Sequence, residues 1–245
     1  MNKKRKILLI GLVIIVAALV AGTLWLASPR PALPAALQAL KSDELVEVTF
    51  DPWITFTPSS KPTTGLIFYP GGRVDARAYA VILRAIAADG YLVVLPEMPL
   101  DLAVLNADIA DQIIEAYPGI DTWAIGGHSL GGSMASQYAS NNPEKIQGLI
   151  MWGSYPVDNS DLTGGDIQVL LIYGSLDTGS NDPVIEEKKV LLPDSTTYIR
   201  IAGGNHHQFG DYQDDSNDPL PTISRVDQQD LTIQGTLDLL KIISP

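Results

Sequence analysis

The chain has 245 residues, 46% of them hydrophobic and 18% charged, and its 28 acidic and 16 basic residues give a formal net charge of -12. Nucleic acid is therefore not expected as a partner, because phosphate binding requires a basic surface. The absence of cysteine excludes disulfides, a thiolate metal site and a cysteine nucleophile. The length suffices for one sizeable α/β domain and a short appendage.

Residues 1–27 have the composition of a membrane anchor. The basic cluster Lys3-Lys4-Arg5-Lys6 precedes an uncharged apolar run from Ile7 to about Ala27, which is long enough to cross the hydrocarbon core of a bilayer. Basic flanks stay in the cytoplasm, so we expect a single-pass protein of the cell membrane whose remaining chain lies outside the cytoplasm. The alternative is a cleaved signal peptide and a secreted product, with Val20-Ala21-Gly22 as a possible cleavage site.

Residues 28–44 are expected to form a linker, in which the proline-rich segment from Ser28 to Pro34 is extended and semi-rigid. In residues 45–245, apolar strands alternate with amphipathic helices. This pattern predicts an α/β domain with a mostly parallel sheet covered by helices on both faces. Strands are expected near 46–50, 54–56, 65–69, 91–95, 123–127, 148–152, 169–173 and 197–201, and helices near 79–88, 102–117, 133–140, 183–190 and 227–243.

The segment Gly127-His128-Ser129-Leu130-Gly131 has the pattern G-x-S-x-G, with an apolar strand before it and a helical segment after it. A serine at so tight a turn has strained backbone geometry, and its close neighbours must lack a Cβ. The turn would expose the hydroxyl of Ser129 and direct the N-terminus of the next helix towards a developing oxyanion. A glycine-rich turn without function is the alternative, but the strand and the helix around the motif favour a nucleophile.

Other polar residues follow strands of the same predicted sheet, and ligands bind such sheets beyond the carboxyl ends of the strands. Asp177 follows the strand at 169–173, and His206 follows the strand at 197–201. With GHSLGG, GSLD and GGNHHQFGD in this order, the chain resembles the α/β-hydrolases, whose serine, acid and histidine occur in the same chain order. The resemblance covers roughly residues 45–243.

The resemblance extends to the segment from Tyr69 to Asp75, which is similar to that of compact, often membrane-anchored bacterial α/β-hydrolases, with Pro70 where typical lipases have histidine. It implies that two backbone N–H groups bind the oxyanion. One belongs to Leu130, the residue after the nucleophile. The other belongs to the loop after the strand at 65–69, where the match indicates Gly72 and leaves Arg73 as the alternative.

The chemistry requires three side chains with different tasks. Ser129 is a weak nucleophile unless an imidazole takes its proton, and His206 is the candidate base. An acid must orient that imidazole and stabilise its charged form, and Asp177 is placed for this task. His207 is the alternative base and otherwise a solvated or supporting residue, whereas Asp182 is the alternative acid and otherwise an N-cap of the following helix.

The remaining polar residues receive structural interpretations. His128 adjoins the nucleophile and cannot approach its hydroxyl as a base, so it is expected to pack beneath the turn. The acidic run after the histidine loop lacks the spacing of a calcium-binding loop and is expected to be a solvated loop; it comprises Asp211, Asp214, Asp215 and Asp218. We expect no metal and no cofactor.

The short segment between 153 and 166 leaves no room for a lid domain, so the site is expected to be open and to accept small esters. The leading interpretation is a serine hydrolase that works through an acyl-enzyme intermediate. An acyltransferase on the same scaffold remains open, because an alcohol could replace water in the second step. A non-catalytic binding domain is less consistent with an intact set of Ser129, Asp177 and His206. The oligomeric state is left open.

Overall fold

The computed structural model describes residues 3–26, 28–213 and 218–245. Met1, Asn2 and Ala27 of the expected anchor, and Asp214 and Asp215 of the acidic run, lie outside the described residues. The strands are β1 (Val46–Thr49), β2 (Ile54–Pro58), β3 (Thr64–Tyr69), β4 (Leu92–Leu95), β5 (Thr122–His128), β6 (Gly148–Trp152), β7 (Gln168–Gly174) and β8 (Thr197–Ile201). The helices are α1 (Lys3–Leu26), α2 (Pro34–Ala39), α3 (Ala80–Ala88), α4 (Ile109–Ala116), α5 (Leu130–Asn141), α6 (Asp182–Lys188) and α7 (Arg225–Ile243).

The eight strands form one sheet in the order β1-β2-β4-β3-β5-β6-β7-β8. The pairs β1–β2 and β2–β4 are antiparallel, and all the other pairs are parallel. The predicted fold class, a mostly parallel sheet in an α/β domain, is confirmed.

Both faces of the sheet are covered by helices, because successive residues of a strand point to opposite faces and both sets are apolar. In β3, Leu66 and Phe68 pack in one core cluster with residues of α2, α3 and α7. Ile67 and Tyr69 of the same strand pack in a second cluster with residues of α4, α5 and α6. The continuous apolar strands of the sequence are therefore buried on both sides, which fixes the sheet between the two helical layers.

The parallel strands end at one edge of the sheet, and the candidate residues follow them there. Gly72 follows β3, Ser129 follows β5 near the middle of the sheet, Asp177 follows β7 and His206 follows β8. The chain between β6 and β7 contains neither a helix nor a strand, as the short segment predicted. Residues far apart in sequence thus meet because parallel strands share the direction in which they end.

The helix expected at 102–117 begins only at Ile109. The chain before it forms two short 3₁₀ turns, Pro99–Asp101 and Ala103–Leu105. Leu100 and Asp101 have positive φ angles of 54° and 55°. The physical reason is a tertiary contact: the carbonyl of Asp101 accepts the backbone N–H of Arg73, 2.8 Å away. The segment is thereby bound to the loop after β3 instead of continuing the helix.

The expectation that Asp182 caps α6 is wrong. The cap is Asn181, whose side-chain oxygen accepts the N–H of Val184 at 3.2 Å. Asp182 is the first residue of the helix, where an acidic side chain is favourable. Its exposed carboxylate lies 2.8 Å from the guanidinium of Arg200 on β8.

The N-terminal segment forms the helix α1, and its apolar side chains from Ile7 to Val20 that the structure describes are exposed. Among residues 3–26, 28–213 and 218–245, no helix is both long and apolar enough to be a membrane span. The membrane anchor and the alternative signal peptide therefore stay predictions from the sequence.

The proline-rich segment after α1 is extended, and it is also bound to the domain. The backbone N–H of Arg30 donates to the carbonyl of Arg73 at 2.8 Å, and that of Asp75 donates to the carbonyl of Arg30 at 3.0 Å. Further along, the N–H of Leu33 donates to the carbonyl of Asp211 at 2.7 Å. We call residues 28–33 the strap. It adds short strand-like pairs beside the loop after β3 and beside the segment after the histidine loop.

Close packing at the start of α5 gives a test of the fold. A Cβ on Gly131 would lie 2.2 Å from the carbonyl oxygen of Tyr69 and 2.4 Å from that of Pro70, so Gly131→Ala would force backbone apart. We expect it to lower the free energy of unfolding by about 3 kcal/mol or more. Gly119→Ala is the control, because a Cβ there meets nothing within 4 Å. Urea unfolding of the full chain measures both, and equal stabilities would contradict the packing described.

Candidate active site

Ser129 lies at a sharp turn between β5 and α5 with φ 52° and ψ -124°, a conformation that costs a non-glycine residue free energy. Hydrogen bonds hold it there. Its N–H donates to the carbonyl of Trp152 at 3.0 Å, and its carbonyl accepts the hydroxyl of Ser154 at 2.7 Å and the N–H of Ser133 at 3.1 Å. The backbone on both sides of Ser129 is thus fixed, and its side chain lines the cleft described below.

His206 and Asp177 are in contact. The Nδ1 atom of His206 lies 2.8 Å from Oδ2 of Asp177. A carboxylate only accepts, so Nδ1 carries the proton, and in the neutral ring Nε2 is free to accept another. Oδ1 of Asp177 accepts the N–H groups of Gly179 and Ser180, each at 2.8 Å. The acid therefore has both oxygens occupied and holds the imidazole in one tautomer.

The electrostatics of Asp177 reflect these contacts. Burial raises the pKa of the Asp177 carboxyl, but the hydrogen bond from His206, the attraction of its ring and the two backbone donors outweigh burial, so the pKa lies below its usual value. The carboxyl is 2% exposed and stays ionised at neutral pH. A buried negative charge beside the imidazole favours the imidazolium that a general base becomes.

The loop that carries His206 is clamped by α7. The side chain of Gln228 accepts the backbone N–H of Asn205 at 3.0 Å and donates to its carbonyl at 2.8 Å. The side-chain oxygen of Asn205 in turn accepts the N–H groups of His207 and Gln208 at 3.2 Å. His206 therefore projects from a loop whose backbone hydrogen bonds are satisfied by two buried amides.

The loop after β3 distinguishes the two candidates for the second oxyanion donor. The N–H of Gly71 donates to the hydroxyl of Tyr79 at 3.0 Å, and that of Arg73 donates to the carbonyl of Asp101 at 2.8 Å. Both neighbours of Gly72 are thus engaged elsewhere, which disfavours Arg73. A Cβ on Gly72 would lie 3.2 Å from Cδ2 of Leu130, so the loop approaches the first turn of α5, where backbone N–H groups have no partner within the helix.

A cleft of about 340 Å³ lies at this edge of the sheet. Its walls are formed mainly by small and polar residues, and Ser129 and His206 both line it. The complete lining is Ser129, Leu130, Ser133, Gly153, Ser154, Tyr155, Gly179, Ser180 and His206. Gly153 has a φ of 49°, and a Cβ there would lie 3.1 Å from Nδ1 of His206 and 3.2 Å from Oδ2 of Asp177. Glycine at this position leaves room for the hydrogen-bonded pair.

The comparisons with known proteins agree with this fold. A sequence model described as the alpha/beta hydrolase family matches residues 65–230, which is more than half of the chain. The chain belongs to the alpha/beta hydrolase family. The crystal structure of a predicted CIB-like hydrolase from Thermoplasma acidophilum is similar in fold, with a TM-score of 0.57 and 13% sequence identity, over 79% of this chain and 97% of that chain. No curated protein matches the sequence. Membership of this family supports a hydrolase-type activity.

Two further histidines lie near the site of this α/β-hydrolase. His128 packs beneath the turn, as expected, and it is buried. His207 is also buried, so a solvated His207 is ruled out; its Nδ1 lies 3.6 Å from a carboxylate oxygen of Asp218. The ring of His207 is edge-on to that of His206, with centroids 5.7 Å apart. His207 thus connects the histidine loop to the acidic run.

The described residues of the acidic run have structural contacts, so the expectation of a merely solvated loop is wrong for them. Asp211 accepts from the side-chain amide of Gln229 at 3.0 Å, and Asp218 accepts from the backbone N–H of Thr178 at 3.3 Å. Within the part of the chain that the structure describes, no group of three or more metal-binding side chains lies together. The run therefore joins α7 and the loop after β7 to the histidine loop.

Several residues of the site have no signal in the sequence. The sequence predicts only that Tyr79 begins a helix, that Gln228 lies in an amphipathic helix and that Ser154 lies in a loop. Each acts through a partner distant in the chain, so local patterns do not reveal it. Gly153, directly after a strand in a fold whose ligands bind at strand ends, is the one that a sequence argument could have selected.

The lowered pKa of Asp177 predicts a pH dependence of stability. Because its pKa is lower in the folded than in the unfolded chain, the ionised carboxylate stabilises the fold above the unfolded value of about 3.9. This contribution is lost as the pH falls through the folded pKa. We therefore expect the wild type to lose more free energy of unfolding than Asp177→Asn between pH 6 and 2.5, as measured by urea unfolding. Parallel losses in the two proteins would contradict the assignment.

Proposed function

We propose that the protein is a serine hydrolase that cleaves small esters through an acyl-enzyme intermediate. The observation that carries this proposal is the 2.8 Å hydrogen bond between His206 and Asp177 at the same cleft as the strained Ser129. An imidazole oriented by a buried carboxylate, with its other nitrogen free to accept a proton, is the base that a serine nucleophile needs.

The first step is acylation. The hydroxyl oxygen of Ser129 attacks the ester carbonyl while Nε2 of His206 takes the hydroxyl proton. The negative charge that develops on the carbonyl oxygen is stabilised by the N–H groups of Leu130 and Gly72. The tetrahedral intermediate then expels the alcohol, which receives the proton from His206, and the acyl group remains on Ser129. Asp177 stays ionised and stabilises the imidazolium while it exists.

The second step is hydrolysis of the acyl-enzyme. Water enters the open cleft, and His206 takes one of its protons as the oxygen attacks the acyl carbonyl. Collapse of this second intermediate returns the proton to the oxygen of Ser129 and releases the carboxylic acid. The small size of the cleft and the absence of helices and strands between β6 and β7 support a small ester as substrate.

The nucleophile is tested by Ser129→Ala. Because this change removes the atom that forms the covalent intermediate, we expect turnover of p-nitrophenyl acetate to fall by about 10⁴- to 10⁶-fold. Labelling with a fluorophosphonate probe should disappear, and the thermal unfolding temperature should stay near that of the wild type. Ser140→Ala is the matched control at the far end of α5, and it should retain both ester turnover and fluorophosphonate labelling. Wild-type turnover in Ser129→Ala would refute the nucleophile.

The base is tested by comparing the two adjacent histidines. His206→Ala should be as inactive as Ser129→Ala, because residues that act as one unit do not contribute additively. His207→Ala should retain most of its turnover, since its contacts are with Asp218 and neighbouring rings. Profiles of kcat/KM against pH for both variants, with p-nitrophenyl acetate as the substrate, decide the matter. An inactive His207→Ala beside an active His206→Ala would reverse the two roles.

A further inference from the structure

A chain of buried hydrogen bonds runs beneath the candidate active site, and the proposed reaction does not use it. The hydroxyl of Tyr79 lies 3.0 Å from the backbone nitrogen of Gly71 and 2.8 Å from Nδ1 of His128. Nε2 of His128 lies 3.0 Å from the carbonyl oxygen of His206. Tyr79 is 0% exposed and His128 is 1% exposed. Two buried side chains thus link the loop after β3, the turn at Ser129 and the backbone of the catalytic histidine.

The direction of each hydrogen bond follows from the donors and acceptors. The carbonyl of His206 can only accept, so Nε2 of His128 carries a proton. In a neutral ring Nδ1 is then an acceptor, and the hydroxyl of Tyr79 donates to it. The oxygen of Tyr79 in turn accepts the N–H of Gly71. Every donor in this series of hydrogen bonds therefore has an acceptor. This is the arrangement expected of a buried polar network that rigidifies its surroundings.

The surroundings of His128 also favour its neutral form. Burial, followed by the charges of His206 and His207, lowers the pKa of His128 well below its usual value. The rings of His128 and His206 have centroids only 4.5 Å apart. A charged His128 would oppose the imidazolium that forms at His206 during the reaction, and a neutral one does not.

The loop after β3 also packs tightly against the hydrogen-bonded side chains of Tyr79 and His128. A Cβ on Gly71 would lie 2.7 Å from both Nδ1 of His128 and the hydroxyl oxygen of Tyr79. The loop therefore lies directly against the bonded pair. Since Gly72 follows Gly71 immediately, the position of the proposed oxyanion donor depends on the same contact.

We propose that Tyr79 and His128 are positioning residues for catalysis: their hydrogen bonds hold the oxyanion loop and the backbone of His206 in fixed positions relative to Ser129. This proposal rests on the proposed function. Neither side chain lines the cleft or takes part in proton transfer. Their effect is geometric, and displacements of about 1 Å in such a site can cost about 100-fold in rate.

The first experiment removes one hydroxyl. Tyr79→Phe keeps the ring but deprives both Gly71 and His128 of their partner. With p-nitrophenyl acetate we expect kcat to fall about 10- to 100-fold while KM stays within about twofold. The inhibition constant of phenylboronic acid, which mimics the tetrahedral intermediate, should rise by a similar factor.

Tyr138→Phe is the matched control, because it removes the hydroxyl of another tyrosine with a buried ring, one that donates to Asp111 away from the cleft. Its kcat and boronate inhibition should match those of the wild type. If Tyr79→Phe also matches the wild type in both, the positioning role is refuted. If both variants lose kcat alike, the effect is general destabilisation and the role is equally refuted.

Substitutions of His128 test its two hydrogen bonds separately, the one with Tyr79 and the one with the carbonyl of His206. His128→Asn keeps an acceptor near the position of Nδ1 for Tyr79 and removes the donor to His206. His128→Gln keeps a donor near the position of Nε2 and removes the acceptor for Tyr79. We expect His128→Gln to resemble Tyr79→Phe and His128→Asn to slow acylation and deacylation alike, as measured by stopped-flow bursts. If both substitutions leave the two rates unchanged, the proposal is refuted.

Nuclear magnetic resonance tests the hydrogen bonds without reference to activity. The chain has only three histidines, so ¹⁵N spectra of histidine-labelled full-length protein can be assigned with His206→Ala and His207→Ala. We expect His128 to remain neutral with its proton on Nε2 from pH 5 to 9, and its Nδ1 signal to shift in Tyr79→Phe. A proton on Nδ1, or titration near pH 6.5, would overturn the hydrogen-bond chain.

The two proposals fail in different ways. A wild-type protein that neither reacts with the fluorophosphonate nor hydrolyses esters would refute the proposed function. It would also refute any effect of the Tyr79–His128 hydrogen bonds on catalysis. The spectra would still decide whether the hydrogen bonds exist. An active wild type with an active Tyr79→Phe would refute the positioning role alone.

Discussion

The active-site edge depends on how closely backbone approaches backbone around Ser129. A Cβ on Gly127 would lie 2.4 Å from the carbonyl carbon of Gly131, and a Cβ on Gly131 would lie 2.2 Å from the carbonyl oxygen of Tyr69. These contacts place the first turn of α5 against the ends of β5 and β3. The φ of Ser129 is unfavourable, and the hydrogen bonds of its backbone hold the residue in this conformation.

The other parts of the site are held by hydrogen bonds from layers on both sides. Gln228 on α7 fixes the backbone before His206, and the N–H groups after β7 fix the carboxylate of Asp177. Most of these groups are buried, where an unpaired donor or acceptor would be costly. The hydrogen bonds that hold the fold together at this edge therefore also hold the candidate residues in place.

Local patterns in the sequence were sufficient for much of this description. Apolar runs bounded by glycine and proline gave the strands, and the turn at Ser129 was evident because its glycines are adjacent in the chain. Contacts between distant residues were not evident. The start of α4 at Ile109 depends on the hydrogen bond between Asp101 and Arg73, and the partner of Tyr79 lies 49 residues away. Hydrophobic periodicity predicts which face of a helix or strand is buried, but it does not predict which distant atoms contact that face.

The strap has a consequence for where the N-terminal part of the chain can be shortened. Because Arg30 and Leu33 supply backbone hydrogen bonds to the carbonyls of Arg73 and Asp211, a fragment trimmed to residue 45 would leave these acceptors at the rim without their partners. The contacts with the domain begin at Ser28, whose carbonyl accepts the guanidinium of Arg73 at 2.9 Å. Shortening the chain past Ser28 would therefore remove contacts with the loop that carries Gly72, beside the candidate site.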